Sequence, residues 1–340
     1  MTGKLQSFLD AKGVLLADGA TGTNLFNMGL QSGDAPELWN DEQPEKIRAL
    51  HKSFVDSGAD IILTNTFGCN RNRLKLHNAQ DRVHELNVRA TQLALEVIEA
   101  SGRDVIVAGS VGPTGDLFEP LGPLTHADAV EAFSAQMNAL KEGGADVLWI
   151  ETMSAREEIE AAAEAARSTG LEYVFTASFD TAGRTMMGIE PSALCDIAQT
   201  MSPPPAAVGA NCGVGATDLL YSVLGMTESD APNIAVVAKA NCGVPKVSGD
   251  SVIYTGTPEL MGRYARMAID SGARIIGGCC GTSPEHLASM RAAIDDHVRG
   301  KRPSLDAIVE ATGELVNQIG AKTSNDNENA RGGRRRGRRR

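Results

Sequence analysis

The segment Ser57-Gly-Ala-Asp-Ile61 joins the end of a predicted helix to the start of a predicted strand, and it has two near-copies farther along the chain. These are Gly143-Gly-Ala-Asp-Val147 and Ser271-Gly-Ala-Arg-Ile275. A glycine at this place suits the left-handed conformation in which many helices end, and the small alanine lets the chain turn into a strand. One junction used three times indicates a fold that repeats a helix–strand unit.

Short runs of apolar and β-branched residues recur along the chain, and each run is continuous rather than alternating. Such runs are typical of parallel strands that are buried on both faces. We predict strands at Val14–Ala17, Ile61–Asn65, Val105–Ala108, Val147–Ile150, Tyr173–Ala177, Ala206–Gly209, Ile234–Ala238 and Arg274–Gly277. Helical patterns lie between or after them, at Pro44–Ser57, Asp81–Ser101, Ala127–Glu142, Ala155–Ser168, Ser192–Met201, Ala216–Leu224, Pro258–Ser271 and Pro284–Val298.

These eight alternations of strand and helix favour the α/β class and, within it, a single (β/α)8 TIM barrel. The alternative is an open, doubly wound sheet. Such sheets often bind a nucleotide through a glycine-rich loop after the first strand, but neither GxGxxG nor GxxxxGK[ST] follows Val14–Ala17. The sequence therefore favours the closed barrel.

The chain changes character after this repeating region. We assign residues 1–302 to the barrel, 303–320 to a C-terminal helical extension with a helix at Leu305–Ile319, and 321–340 to a disordered Arg-rich tail. The last ten residues hold seven arginines, so the rest of the chain carries a net charge of −18 against −11 for the whole. An acidic body of this kind makes nucleic acid an unexpected partner, although the tail could contact an acidic one.

The composition is that of a soluble globular protein, with 42% hydrophobic and 22% charged residues in 340. No stretch of about 18 apolar residues predicts a membrane span. The first residues, MTGKLQSFLDAKG, lack the apolar centre of a secretory signal, so we expect a cytoplasmic protein. In that reducing compartment, the six cysteines are better explained as thiols or metal ligands than as disulfides.

Cysteines follow three of the predicted strands. Cys212 follows the sixth strand, Cys242 the seventh, and the adjacent pair Cys279 and Cys280 the eighth. The sixth and eighth strands are two positions apart in a closed barrel, so the sulfurs of Cys212, Cys279 and Cys280 could all face its axis. Three thiolates with a fourth position open are the ligand set of a catalytic Zn²⁺ site. We interpret the other cysteines as small buried residues.

Five motifs resemble the homocysteine S-methyltransferase family: ADGATGT (17–23), TNTFG (64–68), IETM (150–153), GANCG (209–213) and GGCCGT (277–282). That family includes betaine–homocysteine methyltransferase, S-methylmethionine-dependent enzymes and the homocysteine-binding module of cobalamin-dependent methionine synthase. The resemblance covers about residues 10–298. It implies a zinc-dependent (β/α)8 barrel that transfers a methyl group to homocysteine and forms methionine.

The resemblance also implies roles for individual residues. Cys212, Cys279 and Cys280 match the family's three zinc ligands. Glu151 matches the acidic residue that holds the substrate's amino group, and Asp18 lies near it, which makes these two the predicted catalytic residues. The remaining predicted contacts to homocysteine are Gly19, Ala20 and Thr21, whose backbone would face its carboxylate, with Thr66, Asn211 and Asn241.

The ligand set fits this chemistry. A free thiol has a pKa near 8.5 and reacts as the thiolate, and coordination to zinc removes its proton at neutral pH. Three thiolate ligands also leave the site negatively charged, which keeps a fourth bound sulfur electron-rich. We therefore expect alkyl transfer to that sulfur rather than activation of a water molecule.

The methyl donor is less defined. Enzymes of this family that use betaine surround its trimethylammonium group with aromatic rings, but Gly68 and Thr152 stand where tyrosines would align, and only 4% of the chain is aromatic. TNTFG, IETM and AKANCGVP (238–245) are closer to the methionine synthase module. We therefore favour a separate methyl-corrinoid protein as the donor, with betaine, S-methylmethionine or dimethylsulfoniopropionate as small-molecule alternatives.

Two other classes of function are weighed against this enzyme. A barrel with three thiols at its rim could be a non-catalytic zinc or thiol sensor. An aldolase or hydrolase barrel would need a Schiff-base lysine or a catalytic histidine just after a strand. The segments taken as the eight strand ends, from Asp18–Thr23 to Gly278–Gly281, offer neither. The oligomeric state is left open.

Overall fold

The computed structural model describes residues 3–228, 234–248 and 251–317. Its strands, β1 to β10 in chain order, are Leu15–Leu16, Ile61–Leu63, Ile106–Val111, Val147–Met153, Glu172–Ala177, Ala207–Cys212, Ala235–Ala240, Pro245–Ser248, Ser251–Tyr254 and Ile275–Gly278. Each of the eight predicted strands corresponds to one of these, and all eight pair in parallel in a single sheet.

The sheet closes on itself. Its neighbours follow the order β1, β10, β7, β6, β5, β4, β3 and β2, and a parallel bridge between Ala17 and Ile61 connects the two ends. The strands therefore form the predicted (β/α)8 barrel, and the open, doubly wound alternative is wrong. In such a barrel the carboxyl ends of all strands open on one face, where enzymes of this fold place their active sites.

The helices surround this barrel. In chain order, α1 to α13 are Lys4–Lys12, Thr21–Asn27, Trp39–Glu42, Pro44–Asp56, Arg71–Leu74, Val83–Ser101, His126–Gly143, Arg156–Thr169, Pro191–Gln199, Ala216–Met226, Pro258–Asp270, Pro284–Asp296 and Leu305–Thr312. The three repeated junctions end α4, α7 and α11, and their glycines Gly58, Gly144 and Gly272 all have left-handed φ values of 96°, 101° and 105°. No helix in the described ranges combines the length and apolar character needed to cross a bilayer.

Two layers of apolar side chains hold the barrel together. The inner layer includes Leu15, Ile61 and Trp149 from the strands, and α1 adds Leu5 and Leu9 to it from the end opposite the strand carboxyl ends. A larger layer fills the space between strands and helices. The inner layer blocks the barrel interior, so a ligand can enter only from the face where the strands end.

The structure departs from the sequence predictions at the ends of the chain and in one loop. An antiparallel hairpin of β8 and β9 follows β7, and no pattern predicted it. The helix expected at Leu305–Ile319 stops at Thr312, because Gly313 follows in a left-handed conformation with a φ of 104°. The predicted tail over 321–340 lies outside the described residues.

Candidate active site

Three cysteine sulfurs meet at the carboxyl ends of β6 and β10. The Sγ atoms of Cys212, Cys279 and Cys280 all lie within 4.8 Å of one another, and the three residues are partly buried. Soft thiolate ligands at this spacing suit Zn²⁺, and three of them leave one tetrahedral position for a further ligand. The structure thus places together the three residues that the sequence predicted as metal ligands.

The segment that carries Cys212 has an unusual backbone. Cys212 has a φ of 62°, in the left-handed region that a residue with a side chain rarely adopts, at a typical cost of about 1–2 kcal/mol. The Asn241 side chain holds this segment, since its Nδ2 donates to the Gly213 carbonyl at 2.6 Å. Its Oδ1 accepts from the Cys280 amide at 3.0 Å. One asparagine therefore connects both cysteine-bearing segments.

The proximity of the sulfurs opposes their ionisation. Contact with Cys279 raises the pKa of the Cys212 thiol to about 12. Contact with Cys212 raises the pKa of the Cys280 thiol to about 11. Three thiolates this close repel one another unless a cation lies between them, and a divalent metal ion would supply that charge. The donor set therefore fits the zinc ion that the sequence predicts.

Cys242 lies outside this cluster, although its surroundings in sequence repeat those of Cys212. The pentapeptide ANCGV occurs at 210–214 and again at 240–244. Cys242 is buried, its amide donates to the Cys280 carbonyl at 2.9 Å, and its sulfur packs against the backbone of Gly256. Burial raises the pKa of its thiol to about 11. The residue supports the cysteine pair through its backbone and keeps its own sulfur away from the metal position.

A cavity of about 370 Å³ opens beside the three sulfurs. Most of the predicted substrate contacts line it together with the cysteines, namely Asp18, Gly19, Ala20, Thr21, Thr66 and Glu151. The amide of Ala20 already donates to the Thr282 carbonyl at 3.1 Å, and the hydroxyl of Thr66 donates to the Ser110 carbonyl at 2.7 Å. These two residues shape the wall of the cavity through bonds within the protein.

Asn211 and Asn241, which were also predicted to contact substrate, do not line the cavity. Asn211 Oδ1 accepts from the Thr152 amide at 2.9 Å, and its Nδ2 donates to the Thr152 hydroxyl at 2.7 Å. Thr152 has a φ of 62°, so Asn211 stabilises an unfavourable backbone next to Glu151. Both asparagines therefore hold the segments that carry the site residues.

Glu151 presents a carboxylate to the cavity. It is 8% exposed, and its Oε1 accepts from the Ser110 hydroxyl at 2.5 Å. Burial raises the pKa of Glu151, while the nearby charge of Lys239 opposes that rise. A buried carboxylate with this surrounding is suited to bind an ammonium group.

Lys239 is a residue of the site that the sequence prediction missed. Its Nζ donates to Asp18 Oδ1 at 2.7 Å, and the two side chains are 3% and 1% exposed. Burial opposes the charge on Lys239, but Asp18 and Glu151 keep its pKa above the usual value. The available signal was a single lysine inside the apolar strand AVVAKA, because a charged residue at such a position needs a buried partner.

Comparisons with known proteins agree with this geometry. The model of the family described as homocysteine S-methyltransferase matches residues 15–294. The chain belongs to this family. Membership confirms the family predicted from the five motifs.

Two curated relatives and one solved enzyme are also similar to this chain. The methionine synthase of Mycobacterium tuberculosis is 28% identical over 91% of this chain, and that of Mycobacterium leprae is 27% identical over 84%. The chain spans about a quarter of the length of these two relatives, at 28% and 24%. The metallated form of the homocysteine methyltransferase MmuM from Escherichia coli has a TM-score of 0.70 at 24% identity, covering 85% of this chain and 99% of that one. The oxidised form has a TM-score of 0.66 at 26% identity, with 86% and 99% coverage.

The outer part of the cavity has few aromatic side chains. Phe67 is the one phenylalanine, tyrosine or tryptophan among the described residues that line it, and Arg73 and His77 line it as well. Trp39 is not among the lining residues; it is 8% exposed, and the Lys46 ammonium lies 4.3 Å from the centre of its ring. The described lining thus offers a quaternary ammonium group little of the aromatic surface that such groups prefer.

Proposed function

We propose that the protein is a zinc-dependent homocysteine S-methyltransferase that forms methionine. The observation that carries this proposal is the convergence of Cys212, Cys279 and Cys280 within 4.8 Å beside a cavity that also contains Glu151. Zinc held by these three thiolates would lower the pKa of a fourth thiol, that of homocysteine, so that it is a thiolate at neutral pH.

The other residues orient the amino acid. Glu151 holds the ammonium group of homocysteine through a charge-assisted hydrogen bond, and the backbone of Gly19, Ala20 and Thr21 faces its carboxylate. Methyl transfer requires sulfur, methyl carbon and leaving group to be in line. Fixing the amino acid at both ends therefore lowers the entropic cost of reaching that arrangement.

A protein-bound methyl donor is supported by the surface around the cavity. Nine large hydrophobic side chains that are exposed in the described residues lie in the segments that connect a barrel strand to the next outer helix: Phe26, Phe67, Leu76, Leu117, Leu121, Met186, Met187, Val244 and Ile253. These segments leave the strands on the face where the cavity opens. Exposed apolar surface concentrated around a site is typical of protein contacts. We therefore favour a methyl-corrinoid protein that docks on this face.

A small donor is the second candidate. The solved chain of the homocysteine methyltransferase MmuM is covered to 99% by this chain, against about a quarter of the two methionine synthases. S-methylmethionine and dimethylsulfoniopropionate are consistent with the cavity volume. Betaine has less support, because Phe67 is the one phenylalanine, tyrosine or tryptophan in the described lining.

A panel of donors tests the function. Zinc-loaded protein is incubated with homocysteine and, separately, methylcobalamin, betaine, S-methylmethionine or dimethylsulfoniopropionate, and methionine is measured. We expect methionine from methylcobalamin and no turnover after zinc is removed. Turnover with betaine alone would overturn the preferred donor. Zinc binding without turnover for any donor would instead support the sensor function.

A further inference from the structure

Lys239 connects three strands inside the barrel at the floor of the cavity. It extends from β7, and its partner Asp18 follows β1. The second carboxylate oxygen of Asp18, Oδ2, accepts from the amide of Leu63 in β2 at 2.7 Å. Both oxygens of Asp18 are therefore already bonded within the protein.

The charged groups around Lys239 come from several strands. Asp18 and Glu151 both act on it, and the sulfur of Cys279, the residue after β10, is a weaker influence. The ring of Trp149 in β4 lies 5.8 Å from its Nζ. The ammonium group of Lys239 is thus the positive charge near two buried carboxylates. Of these two, Asp18 is the one within hydrogen-bond distance.

Glu151 differs from Asp18 in its remaining capacity for bonding. Its Oε1 accepts from Ser110, and no described residue donates to its Oε2. Glu151 also borders the cavity, so Oε2 is the acceptor that an incoming ammonium group can reach. A buried carboxylate without a nearby cation would be costly to keep ionised, and Lys239 reduces that cost.

We propose that Lys239 is a positioning residue for homocysteine. Its ammonium group pairs with Asp18, and its positive charge favours the ionised form of Glu151. Glu151 is then the carboxylate that binds the substrate's ammonium group. This inference rests on the proposed function, because it assumes that homocysteine enters the cavity. It assigns Asp18 to holding Lys239 and gives Glu151 alone the contact with the amino group.

The test compares two thiols that differ only in the amino group. Binding of homocysteine and of 4-mercaptobutanoate to the zinc-loaded full chain is measured by calorimetry for wild type and Lys239→Met. We expect Lys239→Met to lower the affinity for homocysteine about tenfold at pH 7, which equals a one-unit change in pKa. The affinity for 4-mercaptobutanoate should stay within about twofold of wild type. Because Lys239 lowers the pKa of Glu151, the loss of homocysteine affinity on acidification should also begin at a higher pH in the variant.

Two further variants keep the test decisive. Lys239→Arg retains the charge and should bind homocysteine within about threefold of wild type. Asp18→Asn/Lys239→Met removes both charges and therefore leaves no unpaired aspartate, so it replaces Lys239→Met if that variant fails to fold. The double variant should still lose the preference for homocysteine over 4-mercaptobutanoate. An equal loss of affinity for both thiols, or an unchanged affinity for both, would overturn the role of Lys239. Failure of wild type to bind homocysteine would instead overturn the proposed function.

Discussion

The Oδ1 atom of Asn241 accepts a hydrogen bond from the backbone amide of Cys280 at 3.0 Å, and the same side chain donates to Gly213, the residue after Cys212. This bond connects the ends of β7 and β10, while the second reaches the end of β6. The cysteine cluster is therefore arranged by the protein itself. Arranged ligands lose less entropy when a metal binds, so Asn241 should contribute to metal affinity.

Replacing Asn241 with alanine should weaken zinc binding by about 10- to 100-fold, because both cysteine segments lose their shared support. Competition with a chromophoric chelator measures this affinity. Asn65→Ala is the matched control, since Asn65 donates to Pro36 and Asn40 and not to a cysteine segment. Equal zinc affinity in Asn241→Ala and wild type would show that the hydrogen bonds do not position the cluster.

Cys279→Ser and Cys242→Ser separate the two kinds of cysteine at the cavity end of the barrel. Cys279→Ser should lose bound zinc and methionine formation together, because it removes one of the three converging sulfurs. Cys242→Ser should retain zinc, because its sulfur packs against Gly256 instead. The zinc content per chain, measured by elemental analysis, distinguishes the two variants. Loss of zinc in both variants would contradict the assignment of Cys242.

His51 should make the protein less stable in acid. It is 1% exposed, no described residue hydrogen-bonds to its ring nitrogens, and burial lowers its pKa from 6.5 to about 4. Between these two pH values the unfolded chain binds a proton that the folded chain does not, so stability falls as the pH falls. The loss amounts to about 3 kcal/mol by pH 4.

His51→Leu should remove this part of the pH dependence, and denaturant unfolding between pH 7 and 4.5 measures it. His84→Gln serves as the control, because the His84 side chain is 65% exposed. If His51→Leu and wild type lost stability in parallel over this range, the buried histidine would not be the cause.

Gly209 allows β6 and β7 to approach each other directly below the cysteine cluster. A Cβ at this position would lie 2.1 Å from the Val237 carbonyl oxygen, and real atoms do not approach so closely. Gly209→Ala should therefore destabilise the fold by about 1–3 kcal/mol, seen as a melting temperature several degrees lower. Gly22→Ala is the control, since a Cβ there meets nothing within 4 Å. A melting temperature unchanged in Gly209→Ala would contradict this packing.

Local signals in the sequence were sufficient to predict the barrel and the convergence of the three cysteines. The junction glycines, such as Gly58, mark helix ends through their own backbone preference, and this preference does not depend on distant residues. Cys212 and Cys279 could be predicted to lie close together, because the barrel fixes which strands are near each other. Fold and cluster were thus predictable from pattern and topology.

The remaining features depend on contacts that no local pattern encodes. The pentapeptide ANCGV has two copies. Cys212 has a positive φ and its sulfur lies in the cluster, whereas Cys242 lacks the positive φ and stays outside it. The pairing of Lys239 with Asp18 joins residues 221 positions apart. The hairpin β8–β9 lacks the apolar alternation that would have predicted it. Such features required the positions of neighbouring strands to be known.

X-ray absorption at the zinc edge tests the central claim most directly, because it counts the sulfur atoms bound to the metal. We predict one zinc per chain with three sulfur ligands in the protein alone, and four after homocysteine is added. Sulfur ligation that stays the same with and without homocysteine, or protein that binds no zinc, would contradict the account.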